Sequence, residues 1–304
     1  MIDYTKSREV IEIIDSTLLR ADVVDADIEK LCNDAKEYEF AAVIVNPLHV
    51  KKARKLLRGS PVKVGTVIAF PLGEEFTNVK VVQVKKAIRA GAQDVDVVAP
   101  ISQIKQGNWE YIAKEIKKIK KAARGKTVKM IIETGLLTRE EIIKMTELCV
   151  QGGIRFIKTG TGYQSPADAE SIKLIIRTIK ATQRSESALG VDKDQNIVEV
   201  KASGGIKTLE QALEFYDLGV KRIGTSSAAK IAKQASLYFK AEDAVVEDKP
   251  QTSQEKREDS QDLAKDFQKE VEEVTEPEES EVQNQENEQS EAVQDEIKEP
   301  DIQE

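Results

Sequence analysis

Two lysines stand where a folded chain seldom puts them. Lys158 closes the apolar run I-R-F-I-K and is followed at once by T-G-T-G, and Lys201 closes V-E-V-K and is followed by A-S-G-G. An ammonium is expensive to desolvate, so a lysine that ends a core strand beside a glycine-rich loop needs a chemical reason. If the two runs are neighbouring strands, their backbones lie about 4.8 Å apart. Two ammonium groups held that close cannot both charge without cost, and the pKa of at least one falls. The neutral amine that results attacks carbonyl carbon and forms a Schiff base. The alternative use of such a pair is as two point charges for a phosphate. Asp96, in the run D-V-D-V-V, adds a carboxylate at the end of another apolar segment.

These residues need a frame that brings strand ends together. Eight short apolar runs recur along the first 240 residues: IEIIDSTLL, AAVIVNP, VKVGTVIAF, DVDVVAP, VKMIIETG, IRFIKTG, IVEVKASGG and KRIGTSS. Helical periodicity fills the intervals at Asp25–Tyr38, His49–Leu57, Thr77–Ala90, Asn108–Ala123, Thr138–Gln151, Pro166–Lys180 and Thr208–Leu218. Asp25, Thr138, Ser165 and Thr208 are expected as N-caps. Strands alternating with helices over this length predict an α/β protein of the (β/α)8, or TIM-barrel, type. A doubly wound open sheet is the alternative, but D-S-T-L-L is not the glycine-rich dinucleotide turn expected after its early strand.

In such a barrel the chemistry sits where strands end and βα-loops begin. Period-2 alternation turns Asp15 with Ile13, Asp94 with Asp96, and Lys129 with Ile131 and Glu133 toward the barrel centre. The same rule groups Ile154, Phe156 and Lys158, and Ile197, Glu199 and Lys201. The outward positions are apolar. Gly204 and Gly205 follow strand 7, and Ser226 and Ser227 follow strand 8, where the phosphate site of this fold is usually built from backbone N–H groups.

Composition narrows the chemistry further. A single histidine, His49, and two cysteines, Cys32 and Cys149, leave little with which to build a catalytic zinc site. The cysteines fit a reducing, cytoplasmic setting. The mixed charges of Met1 to Val10 predict no signal peptide, and no apolar run approaches a membrane span. The net charge of −8 is split: from Ala241 to Glu304 there are 24 acidic and 6 basic residues, against 30 and 40 before them. Residues 1–240 are therefore expected to form the barrel, and 241–304 an acidic, low-complexity, disordered tail. Within the tail Leu263, Phe267 and Val271 are spaced for a weak amphipathic helix, and an unidentified partner for the tail is one further expectation.

The motifs I-D-S-T-L-L, V-N-P, G-T-V-I-A-F-P-L-G, G-A-Q-D-V-D-V-V, V-K-M-I-I-E-T-G-L-L, F-I-K-T-G-T-G, V-K-A-S-G-G-I-K-T and R-I-G-T-S-S fall in order on the eight strands. Between Ile11 and Leu237 the chain resembles the deoxyribose-phosphate aldolase family, Schiff-base aldolases of the (β/α)8 type. The resemblance implies reversible cleavage of 2-deoxy-D-ribose 5-phosphate to acetaldehyde and D-glyceraldehyde 3-phosphate, in deoxyribonucleoside catabolism. It implies Lys158 as the Schiff-base lysine, Lys201 as the lysine that tunes it, and Asp96 as the aspartate of the proton relay. Asp15, Thr17, Thr161, Gly162, Gly204, Gly205, Ser226 and Ser227 correspond to substrate and phosphate contacts. No metal or other cofactor is implied, nor any nucleic-acid or membrane partner; a homodimer or tetramer is.

The chain departs from the family pattern at three places. Gly160 replaces the serine of K-T-S-T-G, Ile44 stands where many members carry cysteine, and an insertion-like segment spans about Thr182 to Gln195. Two rival functions are a phosphate-binding barrel isomerase or synthase without covalent catalysis, and an inactive barrel acting through its tail.

Overall fold

The computed structural model describes residues 3–188 and 197–247, with side chains described for 3–185 and 197–238. The acidic segment from 248 to 304, including Leu263, Phe267 and Val271, and the part of the insertion at 189–196 lie outside the described residues. Contacts gather Met1–Val246 into one compact unit.

Eight parallel strands close into a barrel in sequence order, with β1 paired to both β2 and β8. They are β1 Ile14–Leu18, β2 Ala42–Val45, β3 Lys63–Ile68, β4 Asp94–Val98, β5 Thr127–Ile131, β6 Phe156–Lys158, β7 Glu199–Ser203 and β8 Arg222–Thr225. The helices of the described residues are α1 Ser7–Glu12, α2 Asp25–Glu37, α3 Val50–Leu56, α4 Thr77–Ala90, α5 Ile101–Lys105, α6 Trp109–Ala122, α7 Arg139–Gln151, α8 Ala169–Ala188, α9 Leu209–Asp217 and α10 Ala228–Glu247. The TIM-barrel expectation is met, and each of the eight apolar runs supplies one strand.

The outward strand positions explain why the ring holds. Val43, Val45, Val95, Val97, Val128, Met130, Ile157, Val200 and Ile223 are buried and join one continuous core with the helices. β-Branched side chains suit the pleated strand, and burying each stabilises the fold by roughly 1.5–3 kcal/mol. The helices answer with apolar stripes such as Ile112, Ile116 and Ile119 on α6. Among the described residues Ala42, Ile44 and Val67 form a second, small apolar cluster, with Leu19 and Phe70 packed against it.

Helix starts follow the cap chemistry, with two shifts. Thr138 accepts from the Glu141 N–H while the Glu141 carboxylate accepts from the Thr138 N–H, and Thr208 and Gln211 repeat the arrangement. Asp25 is not the cap of α2. It is already helical, and the Asp27 carboxylate accepts from the Val24 N–H at 3.0 Å. Nor does α8 begin after Ser165: the Ala167 N–H is taken by the Gly204 carbonyl at 2.9 Å, which ties this stretch to the loop after β7. The helix starts two residues later, where Asp168 accepts from the Ser171 N–H at 2.7 Å. It then runs on to Ala188, so the first half of the insertion lengthens α8.

A buried ion pair stands outside the barrel. Lys80 of α4 donates to Glu115 of α6 at 2.7 Å and to the Val98 carbonyl at 3.1 Å, and Thr77 donates to the other Glu115 oxygen at 2.7 Å. Both ionic side chains are fully enclosed, and both are hydrogen-bonded, as a buried charge requires.

Candidate active site

The inner faces of β1, β4, β5, β6, β7 and β8 carry a buried charge cluster that runs from the first residues of β4 and β8, Asp94 and Arg222, to the last of β6, Lys158. Asp96 and Lys201, expected at strand ends, lie mid-strand because β4 and β7 each continue two residues further. Lys158 and Lys201 are register partners across β6 and β7, as the sequence pattern requires. Their amines converge on one atom: Lys158 Nζ lies 3.2 Å and Lys201 Nζ 2.9 Å from Oδ2 of Asp96. Lys201 also donates to Asp15 at 2.5 Å. Lys129 sits 2.7 Å from Asp94, 3.0 Å from Asp96 Oδ1 and 3.5 Å from Asp15. Arg222 closes the group with Nη1 at 2.5 Å from Asp15 and 3.7 Å from Asp94. The room for Lys201 comes from Gly224 on the adjacent strand, where a Cβ would fall 2.8 Å from Lys201 Cε.

Counting the charges explains the opening puzzle. Asp15, Asp94 and Asp96 are balanced by Lys129, Lys201 and Arg222, so the cluster is neutral when Lys158 carries no proton. A charged Lys158 would be surplus in a site with almost no water. Its side chain is 3% exposed. Burial and then the charge of Lys201 push its pKa down from 10.5 to about 8, against the pull of Asp96. Burial alone would raise the pKa of Asp96, but Lys129, Lys201 and Lys158 win and hold it well below the usual carboxylate range. Asp15 is lowered by Lys129, Lys201 and Arg222 against the same burial cost. The cations Lys129 and Arg222 are held charged, their pKa values raised by these carboxylates.

Above the cluster opens a cavity of about 330 Å³ with Lys158 in its wall. Thr17, Thr161, Gly162, Gly204, Gly205 and Ser226 line it, so these expected contact residues share one space. Asp15, Asp96 and Lys201 are fully buried beneath it and touch one another rather than the open volume. Ser227 stands beside it at the start of α10, its N–H donating to Thr225 Oγ1 at 2.9 Å. Gly204 and Gly205 both have positive φ, 117° and 69°, which glycine adopts without steric cost and which frees the loop backbone for a ligand.

Several lining residues were not singled out from the sequence. Arg20 and Lys207 place cations at the rim, and Tyr163 stands over it in edge contact with Phe70 at 5.5 Å between ring centroids. The guanidinium of Arg20 is held by Asp22 and Asp27, each at 2.7 Å. Arg222 was missed as well. It lies two positions before Gly224, so the same alternation that marked Lys201 would have turned it inward. Glu133, expected to continue β5, instead leaves the strand in a left-handed conformation, φ 54°, two residues past Ile131.

The arrangement of a buried lysine with a lowered pKa, a shared carboxylate and an adjoining cavity can be compared with known proteins. Residues 7–229 match the model of the DeoC/LacD family aldolases. The chain belongs to that family. A deoxyribose-phosphate aldolase from Dictyoglomus turgidum is 44% identical over 223 residues, 73% of this chain and 95% of that protein. One from Mycoplasma pneumoniae is 38% identical over 222 residues, 73% and 92% of the two chains. The tetrameric deoxyribose phosphate aldolase of Aeropyrum pernix superposes with a TM-score of 0.66 at 29% identity, over 76% of this chain and 92% of that one. In this DeoC/LacD-family aldolase the matched span covers all eight strands, so every member of the charge cluster lies within it. No helix of the described residues is long and apolar enough to cross a membrane.

Proposed function

We propose that the chain is a deoxyribose-phosphate aldolase acting through a Schiff base on Lys158. The observation that carries this is the amine itself: of the cluster's basic side chains Lys158 alone contacts a single carboxylate, shared with Lys201 and Lys129, and it lines the cavity. Lys158 attacks the C1 aldehyde of open-chain 2-deoxy-D-ribose 5-phosphate, and loss of water gives an iminium. As the C3 hydroxyl gives up its proton, the C2–C3 bond breaks and its electron pair passes to the iminium nitrogen. D-Glyceraldehyde 3-phosphate departs and an enamine remains. Protonation of the enamine at C2 and hydrolysis release acetaldehyde and restore the amine.

Lys201 and Asp96 are the proton carriers in this scheme. Asp96 bridges both amines, so a proton on Lys201 has a path to the reacting lysine through one carboxylate oxygen. Thr17 and Asp15 belong to the sugar-hydroxyl end of β1, with Asp15 acting through its hold on Lys201. Thr161, Gly162, Gly204, Gly205, Ser226 and Ser227 take the substrate backbone and phosphate, supported by the loop N–H groups and by Lys207 at the rim. The two free, buried cysteines suit a cytoplasmic enzyme of deoxyribonucleoside catabolism. The tetrameric relative supports a homo-oligomer, and the charge split supports a catalytic unit ending near residue 240 with an acidic tail behind it.

Borohydride reduction in the presence of substrate, followed by peptide mass mapping, tests the proposal. A reduced adduct on Lys158 is expected. Turnover without any trapped lysine would sink the covalent mechanism and favour a barrel that uses its phosphate loops alone.

A further inference from the structure

Glu133 is a buried acid that the charge cluster does not use. It is 1% exposed, and no cation among the described residues lies within ion-pairing distance of it. Its backbone is left-handed, a conformation that costs a residue with a Cβ, so the surroundings must hold it there. What it gains is one contact. Both carboxylate oxygens accept from the N–H of Thr161, at 3.1 and 3.3 Å.

That contact falls at a sensitive place. β5 and the chain after β6 run side by side past the strand ends: the Ile132 N–H donates to the Lys158 carbonyl at 3.1 Å, and the Thr134 N–H to the Thr159 carbonyl at 2.8 Å. Ser203 Oγ then donates to the Gly160 carbonyl at 2.6 Å. Thr161 is the next residue and the first of this loop, after Lys158, to line the cavity. Its own hydroxyl accepts from the Tyr163 N–H at 3.1 Å, so the position of Thr161 carries forward to Gly162 and Tyr163. A left-handed turn at 133 is what aims the carboxylate across at this N–H.

Position 160 is matched to the same contact. A Cβ built on Gly160 would stand 2.8 Å from Glu133 Oε1, closer than unbonded atoms allow. A side chain there must push the end of the carboxylate aside by a few tenths of an ångström. The glycine at 160, where the family pattern has serine, leaves Glu133 free to close on Thr161.

We propose that Glu133 is a positioning residue for the substrate cavity: through the Thr161 N–H it fixes the wall formed by Thr161, Gly162 and Tyr163, and Gly160 makes the space for it to do so. The proposal rests on the reading of this cavity as the substrate site beside the Schiff-base lysine.

The test compares wild type with Glu133→Ala, Glu133→Gln, Gly160→Ala and the Glu133→Ala/Gly160→Ala double variant. Steady-state kinetics on 2-deoxyribose 5-phosphate are paired with amide hydrogen exchange across residues 156–164. Glu133→Ala should speed exchange at Thr161 and raise KM by about tenfold, the upper scale of one lost hydrogen bond, with a smaller fall in kcat, and Gly160→Ala should do the same to a lesser degree because the carboxylate end can shift. Glu133→Gln keeps an acceptor oxygen and should recover most of both. The double variant should be no worse than the worse single one, because both act on one contact. Unchanged Thr161 exchange in Glu133→Ala, or effects that add in the double variant, would overturn the proposal. The exchange measurement needs no turnover, so an absent Lys158 adduct would count against the aldolase mechanism while Thr161 protection still decided the role of Glu133. If Glu133→Ala fails to fold, Gly160→Ala probes the same contact from the other side, and normal Thr161 protection there would reject the match.

Discussion

Lys158 and Lys201 donate to the same oxygen of Asp96, from 3.2 and 2.9 Å. One carboxylate oxygen thus lies between the two amines. The asymmetry comes from the second partner: Lys201 also has Asp15, and Lys158 has no other carboxylate. Five predictions follow from that balance and from the frame around it.

Lys158→Arg should abolish aldol cleavage, since a guanidinium forms no imine under these conditions, while circular dichroism remains that of the folded barrel. Activity within an order of magnitude of wild type would remove Lys158 from the centre of the mechanism.

The reacting form of Lys158 is the free amine, so kcat/KM should rise with pH and level off above about 8, where burial and Lys201 place its pKa. Lys201→Leu removes the like charge and leaves Asp15 and Asp96 with an unmet negative charge, so the Lys158 pKa should move up. The rising limb should shift to higher pH as activity at pH 7 drops. A limb that stays in place would show that Lys201 does not tune the amine.

A lowered lysine pKa also has a cost in folding. The protonated form is favoured in the unfolded chain, so below pH 8 the group destabilises the fold, and the penalty fades as pH rises from about 8 to 10.5. Lys158→Met should therefore stabilise the protein at pH 7, on the order of 2–3 kcal/mol before packing differences, with the gain shrinking toward pH 10. Denaturant melts at several pH values would measure it. A uniform destabilisation would contradict the surplus-charge account.

Lys80→Ala should leave Glu115 buried and unpaired, a loss of roughly 3–5 kcal/mol. Lys80→Met combined with Glu115→Leu should recover most of it, and neither variant should alter KM at temperatures where the fold is intact. Equal destabilisation by the single and double changes would mean that packing, not charge, dominates at this site.

Cutting the chain after Glu247 removes 21 acidic and 6 basic residues and no member of the charge cluster. Turnover should be unchanged. The apparent KM for the anionic sugar should be equal or lower at low ionic strength, converging with the full chain as salt rises. A large fall in kcat would place part of this segment in the reaction.

The barrel was legible because its signals are local. Apolar alternation and intervening helical stretches are each written within a few residues, and they marked all eight strands. Lys158, Lys201 and Asp96 were legible for the same reason, since phase along an apolar strand suffices to turn them inward. What lay out of reach depended on distant partners. The pairing of Arg222 with Asp15 joins residues at opposite ends of the barrel sequence. The start of α8 was misplaced because a carbonyl of the β7 loop claims the Ala167 N–H, which no periodicity reveals. Helix α5, five residues from Ile101 to Lys105, is too short to show a period at all. Glu133 looked like the next inward step of β5, and only the Thr161 N–H across the way explains why the backbone turns over there.

The ring of strands is sealed between β8 and β1, and the seal carries Arg222 against Asp15. Asp15 belongs to the first strand of the barrel, and Lys201 and Arg222 to the last two. Until the ring closes, Asp15 and Asp96 lack their cations, and Lys158 sits in water as an ordinary, protonated lysine. The environment that lowers the Lys158 pKa is therefore a property of the closed ring, drawn from both ends of the barrel sequence at once.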